Sequence, residues 1–144
     1  MTQSTAYAAL LLRTALGTMF LAHGLLKVLV FTPAGTVGFF ESLAVPGWLA
    51  YPTMGAELIG GVLLVLGVQA RVVSLALLPV LIGSIVLVHG TNGWLYTNEH
   101  GGWEYSAFLI VASLVQALLG NGAFSLSSVL ERDRSVMSTV AASV

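Results

Sequence analysis

Three features of this chain predict an all-α, integral membrane four-helix bundle with a short interfacial helix between helices one and two. Its 144 residues are 57% hydrophobic and 8% charged, against about 25% charged residues in an ordinary soluble domain. The mean hydropathy is +0.95. The apolar residues gather into four runs near the ~20 residues that cross a bilayer, separated by short stretches rich in Gly, Pro and polar residues.

Helix one is expected from about Tyr7 to Phe31, with Arg13 near its start and Pro33 stopping it just beyond. The apolar N-terminal run is too long for a signal peptide and has no small-residue cleavage pattern before Lys27, so it reads as a retained helix. In TPAGTVGFFESLAVPGW, Thr32 is a candidate cap and Pro33 a first-turn residue, while Val37, Phe40 and Leu43 recur at helical spacing. This is the interfacial helix. Helix two enters through Trp48 to Pro52 at headgroup depth and continues to Val68, carrying Glu57 in its second turn. Ala56 and Gly60, backed by Gly61, would let a neighbouring helix approach closely. After a tight polar turn at Gln69 to Arg71, helix three runs from about Val72 to His89, with a kink expected at Pro79. The aromatic, glycine-rich loop GTNGWLYTNEHGGW suits a membrane interface, and helix four follows from about Trp103 to Leu119. The transmembrane domain is expected over residues 1–126, with a poorly ordered cytoplasmic tail over 127–144 that includes the charged ERDR run.

Composition excludes several functions. A net charge of -1 with scattered Lys and Arg gives no basic field for nucleic acid. With no cysteine, the chain has no disulfide, thiolate metal site or dithiol pair, so any thiol chemistry would fall to a partner. Four crossings place Arg13, Arg71, Arg132 and Arg134 on one side, opposite Glu41 and Glu99. The positive-inside rule then puts both termini in the cytoplasm.

The stretch GTMFLAHGLLKVLVF sets His23 and Lys27 four residues apart, on one face of helix one. An ionisable side chain inside a membrane segment is costly, about 2.5 to 3.5 kcal/mol even on lenient scales, and is a functional-site hypothesis by default. At 1.5 Å per residue, His23, Lys27 and Glu57 lie roughly 12, 6 and 9 Å inside the outer ends of their helices. His89 and Glu104 mark the outer ends of helices three and four. The similar strings FLAHG and VLVHG each precede a helix with an early glutamate, which suggests two hairpins that each supply a His and a Glu to one centre. Plainer readings exist for each residue. Lys27 can snorkel to the headgroups, and His89 and Glu104 can be ordinary interface residues. Glu57 must be neutral or paired, and a Glu57–Lys27 pair that only fixes helix register is the competing account.

The chain resembles the DoxX family of small four-helix bacterial membrane proteins over roughly residues 13–126. The likeness rests on Arg13 and Gly17, AHGLLK, FFESLAVP, AELIGG, LGVQAR, HGTNGW, GGWEY and GNGAFSL, in that order. Asn121 stands where the family often has proline, and Ser127 where aspartate is common. The resemblance implies four transmembrane helices and an association with redox proteins, since the family is similar to the membrane subunit of a thiosulfate:quinone oxidoreductase.

The leading expectation is therefore a membrane subunit of an oxidoreductase complex in the bacterial inner membrane, with a quinone or small redox substrate in the outer half of the bundle. His23, Lys27 and His89 would bind the substrate, and Glu57 and Glu104 would carry protons. No intrinsic cofactor is expected, and electrons would come from a soluble or membrane redox partner; a homo-oligomer fits too. Two alternatives stay open. One is a non-catalytic scaffold or small-solute transporter; the other is haem or metal binding through His23 and His89, or through both histidines with Glu57 and Glu104. The sequence does not decide whether the chain is itself catalytic.

Overall fold

The computed structural model describes residues 2–129. The charged ERDR run, with Arg132 and Arg134, and most of the expected tail lie outside the described residues. Helix α1 (Gln3–Leu25) continues as a π-helical turn, Leu26–Val30, and α2 (Thr32–Ser42) follows. A 3-10 turn, Gly47–Leu49, opens α3 (Ala50–Leu66). The third crossing is broken into α4 (Ala70–Ala76), α5 (Leu78–Ser84) and a π-helical turn, Ile85–His89. Helix α6 (Glu104–Leu119) completes the bundle. No strand occurs among the described residues.

Among the described residues three spans are long and apolar enough to cross a bilayer: Gln3–Val30, Gly47–Leu66 and Ala70–Asn92. The fourth helix, α6, is apolar but has 16 residues. At 1.5 Å per residue that is about 24 Å, a few ångströms short of a typical hydrocarbon core, which local bilayer thinning accommodates. The chain is thus an all-α, multi-pass membrane bundle in contact with lipid. Lipid-facing residues such as Leu29, Val86 and Leu118 are largely exposed on its surface, as expected where the solvent is hydrocarbon.

A compact apolar core ties the helices together: Leu16 and Phe20 of α1, Leu64 of α3, Val73 of α4, Leu81 of α5, and Leu109 and Ala112 of α6. Helix α1 packs most extensively on α3. The small-residue contact there differs from the expected Ala56/Gly60 pair. Gly17 and Gly61 face each other so closely that a Cβ on either would lie 2.8 Å from the other's carbonyl oxygen. Gly60 instead receives the Leu77 side chain. Helix backbones this close gain van der Waals contact, a main source of helix association in lipid.

Helix limits follow from local chemistry. Helix α1 begins earlier than expected because Thr2 caps it, its Oγ1 accepting from the Thr5 N–H at 3.3 Å. Helix α4 begins at Ala70 because Asn121 Oδ1 accepts the Ala70 N–H at 2.8 Å. Helix α3 ends where Gly67 turns left-handed at φ 69°, with Val68 N–H donating to Leu63 O and Gly67 N–H to Leu64 O. The expected kink is present: the helix breaks at Leu77, two residues before Pro79. Helix α2 lies across the end of α1 with Thr36, Val37, Phe40 and Leu43 on its less exposed side, as the spacing predicts. Thr36 Oγ1 hydrogen-bonds both Thr32 O and Lys27 O, at 2.9 and 3.0 Å. In the π-helical turn the amide of Phe31 reaches back to Leu26, so Thr36 satisfies the Lys27 carbonyl.

Candidate functional site

At the end of the bundle reached by the first crossing, Lys27 Nζ lies 2.7 and 2.8 Å from the two carboxylate oxygens of Glu57. The π-helical turn that continues α1 supplies the cation and α3 the anion, at the close crossing where a Cβ on Gly24 would lie 3.2 Å from Glu57 Cβ. The Glu57 side chain is 4% exposed and that of Lys27 21%. Each charge neutralises the other at a depth where neither could stand alone.

His23, one turn before Lys27, directs Nδ1 to Met19 O at 2.9 Å. A carbonyl only accepts, so Nδ1 carries the proton and Nε2 is an acceptor in the neutral ring. The imidazole lies beside the Tyr105 ring of α6, centroids 6.3 Å apart and planes inclined by 28°.

Glu104 opens α6 and meets the preceding loop. Its Oε1 accepts the Tyr96 N–H at 2.8 Å, and its own N–H donates to Trp94 O at 3.0 Å. Trp94 and Trp103 pack edge to face, centroids 4.5 Å apart. The loop is pinned from the other side through Gly101 O, which accepts from His89 Nδ1 at 2.9 Å and from Asn92 Nδ2 at 3.0 Å. Between the loop and α6 lies an open groove of about 720 Å³. Trp94, Tyr96, Glu104, Tyr105, Phe108 and Val111 line it. Its walls are aromatic and aliphatic, with one carboxylate, Glu104, and two phenols, Tyr96 and Tyr105, set among them.

The five side chains grouped from the sequence are therefore divided. Lys27 and Glu57 form a closed pair, His23 stands behind Tyr105, Glu104 is in the groove wall, and His89 holds the loop. His89 and Glu104 are turned aside by loop backbone groups, a competition that helix depth does not register. The FLAHG and VLVHG strings do not superpose in register either: the π-helical turn starts three residues after His23 but ends at His89. Among the described residues no three His, Asp or Glu side chains come together as a metal site, so the four-residue metal cluster is not formed.

Sequence reasoning missed Tyr105, whose signal was its place one residue after Glu104, and the loop aromatics, which read as plain interface residues. It also missed Arg13. That side chain is 1% exposed, and its guanidinium donates to Leu64 O, Val65 O, Ala123 O and Phe124 O. It fastens the end of α3 and the 120–125 turn to α1 at the opposite end of the bundle.

Comparison with known proteins agrees with the resemblance drawn from the motifs. The DoxX family model matches residues 8–90. A Bacillus subtilis (strain 168) protein named "Putative oxidoreductase CatD" is 36% identical over 121 residues, covering 84% of this chain and 85% of that protein. No solved structure matches. With that match, that relative and this bundle together, the chain belongs to the DoxX family.

Proposed function

We propose that the protein is the membrane subunit of an oxidoreductase complex and that the groove between the Trp94–Tyr96 loop and α6 receives the ring of a membrane quinone. The groove itself carries the reading. Its volume of about 720 Å³ is in the range of small-molecule sites, and its lining is apolar with few polar groups. It opens at the exposed Phe108 and Val111, so a ligand with a hydrocarbon tail enters from lipid without crossing water. The oxidoreductase name of the Bacillus subtilis relative is consistent with redox chemistry.

In this reading the quinone takes up two electrons from a partner protein and two protons, giving the quinol. Glu104, held by the Tyr96 N–H, passes one proton to one carbonyl oxygen of the quinone and is reprotonated from water at the loop; the second proton comes from water to the other carbonyl oxygen, which the Tyr105 hydroxyl hydrogen-bonds. His23 orients Tyr105 from behind. His89 acts through the loop, while Lys27 and Glu57 hold α1 and α3 in register. Electrons come from a partner because the chain has no cysteine pair to relay them. Arg13 and Arg71 share one end of the bundle, which supports placing that end, with both termini, on the cytoplasmic face of a bacterial inner membrane.

The test is binding of a quinone analogue to purified protein, followed by fluorescence quenching of the groove tryptophans. Wild type should bind, Tyr105→Phe and Glu104→Gln should bind more weakly, and Glu57→Gln should affect stability more than binding. A reduced-minus-oxidised absorption spectrum of gently purified protein reports any carried quinone directly. Folded wild type that neither carries nor binds a quinone would overturn the reading in favour of a scaffold.

A further inference from the structure

Hydroxyl side chains inside an apolar helix ordinarily satisfy themselves by donating to the carbonyl one turn back. Thr14, Thr36 and Thr53 do so here, to Leu10 O, Thr32 O and Leu49 O. Ser74 of α4 and Ser113 of α6 do not. Both are 0% exposed, and neither Oγ has a hydrogen-bond partner among the described residues. Gln116 is also 0% exposed; its Nε2 donates to Gly120 O at 2.7 Å, and its Oε1 has no partner among the described residues.

Ser113 and Gln116 lie on α6, and Ser74 lies on α4, which packs against α6. Ser106, Ser113 and Gln116 are spaced seven and three apart and so occupy one face of α6, the face that Leu109 and Ala112 carry into the core. Ser106 Oγ meets Ser84 Oγ of α5 at 3.1 Å, which fixes that face toward the third crossing. Helix α6 packs on both α4 and α5. The polar face extends about 15 Å along α6, from Gln116 to Ser106, which adjoins Tyr105 in the groove wall.

A buried hydroxyl without a partner is costly, and most strongly so in hydrocarbon. Three such atoms, two on this face of α6 and one on the helix packed against it, need a ligand that both donates and accepts and that is small enough to lie between helices. Water is that ligand, since it serves two to four polar atoms at once. We propose that the seam between the third crossing and α6 binds a short file of water reaching from the Gly120 end to beneath the groove. It gives the groove a second contact with solvent, from the end opposite the loop. This inference does not depend on the quinone reading.

The absence of cysteine makes the test direct. Single substitutions Ser113→Cys, Ser74→Cys and, as a dry control buried in α3 away from the seam, Ala50→Cys are treated in proteoliposomes with 2-aminoethyl methanethiosulfonate, which reacts only with a hydrated thiolate. Ser113→Cys and Ser74→Cys should react about tenfold faster than Ala50→Cys or more. Adding Ala107→Trp to fill the groove should leave the Ser113→Cys rate unchanged. Equal, slow labelling at all three positions would overturn the water file, and loss of Ser113→Cys labelling in the filled groove would overturn the second entrance. Thermal unfolding gives an independent check: Ser113→Ala should lower Tm, and a neutral or raised Tm would mean a dry seam. Labelling as expected without quinone binding would leave the seam standing and remove the proposed function; the reverse result would do the opposite.

Discussion

Lys27 and Glu57 meet as a two-pronged ion pair, with Nζ 2.7 Å from one carboxylate oxygen and 2.8 Å from the other. The pair joins α1 to α3 close to where Thr36 of α2 holds the Lys27 carbonyl. One residue is thus fixed at both ends, by its ammonium and by its backbone. Removing one partner strands the other charge in a nearly closed site. Lys27→Met and Glu57→Leu should each lower unfolding stability by about 3–5 kcal/mol. The double variant should recover most of that loss, because two apolar chains of similar volume can fill the site. Reversible denaturation in detergent measures all three. Additive losses in the double variant would show that the two charges are not energetically coupled.

Arg13 holds the other end of the bundle by a different logic. Its partners are four backbone carbonyls, two from the end of α3 and two from the 120–125 turn. The end of a helix concentrates partial negative charge, so a planar guanidinium fits where a point charge would not reach both segments. Arg13→Met should cost about 2–3 kcal/mol through carbonyls left without a donor, and Arg13→Lys should recover only part of it. Gly67 tests the same joint separately. At φ 69°, an added Cβ would also lie 2.8 Å from Arg13 Cζ. Gly67→Ala should therefore lower stability by about 1–3 kcal/mol. Thermal unfolding of the three variants checks the set.

The crossings, the interfacial helix and the Pro79 break were legible in the sequence because hydropathy, helical spacing and a missing amide act locally. So was the meeting of Lys27 with Glu57, since two charges at similar depth in apolar helices have few other partners. Arg13 was not legible as a latch. A basic residue near a helix end reads as a headgroup contact, and the carbonyls that receive it have no side-chain signature. The groove was hidden for a related reason: it exists because the backbone of residues 93–96 folds over the start of α6, with Trp103 N–H bonded to Gly93 O and Gly102 N–H to Leu95 O. Those bonds redirect Glu104 to the loop, and no spacing rule on α6 foretells that.

Ala107 lies in the groove wall, on the helix turn that follows Glu104. A larger side chain there takes up ligand space while leaving the core contacts of Leu109 and Ala112 in place. Ala107→Trp should weaken quinone-analogue binding by about tenfold or more, equivalent to about 1.4 kcal/mol. Its Tm should remain near that of wild type. Retained binding with a filled groove would place the ligand elsewhere.

His89 and Asn92 both donate to Gly101 O, and that shared acceptor holds the loop whose Tyr96 N–H fixes Glu104. Each bond contributes about 1 kcal/mol, so losing one should loosen the loop without unfolding the bundle. His89→Ala and Asn92→Ala should speed amide hydrogen exchange at Tyr96 and Glu104, with exchange in the middle of α3 unchanged. Both variants should weaken analogue binding alike, since they act through the same carbonyl. The parallel matters because it separates a positioning role from a ligating one. If His89 were an axial haem ligand, His89→Ala would abolish a Soret band that Asn92→Ala retains, and loop exchange would not track the loss.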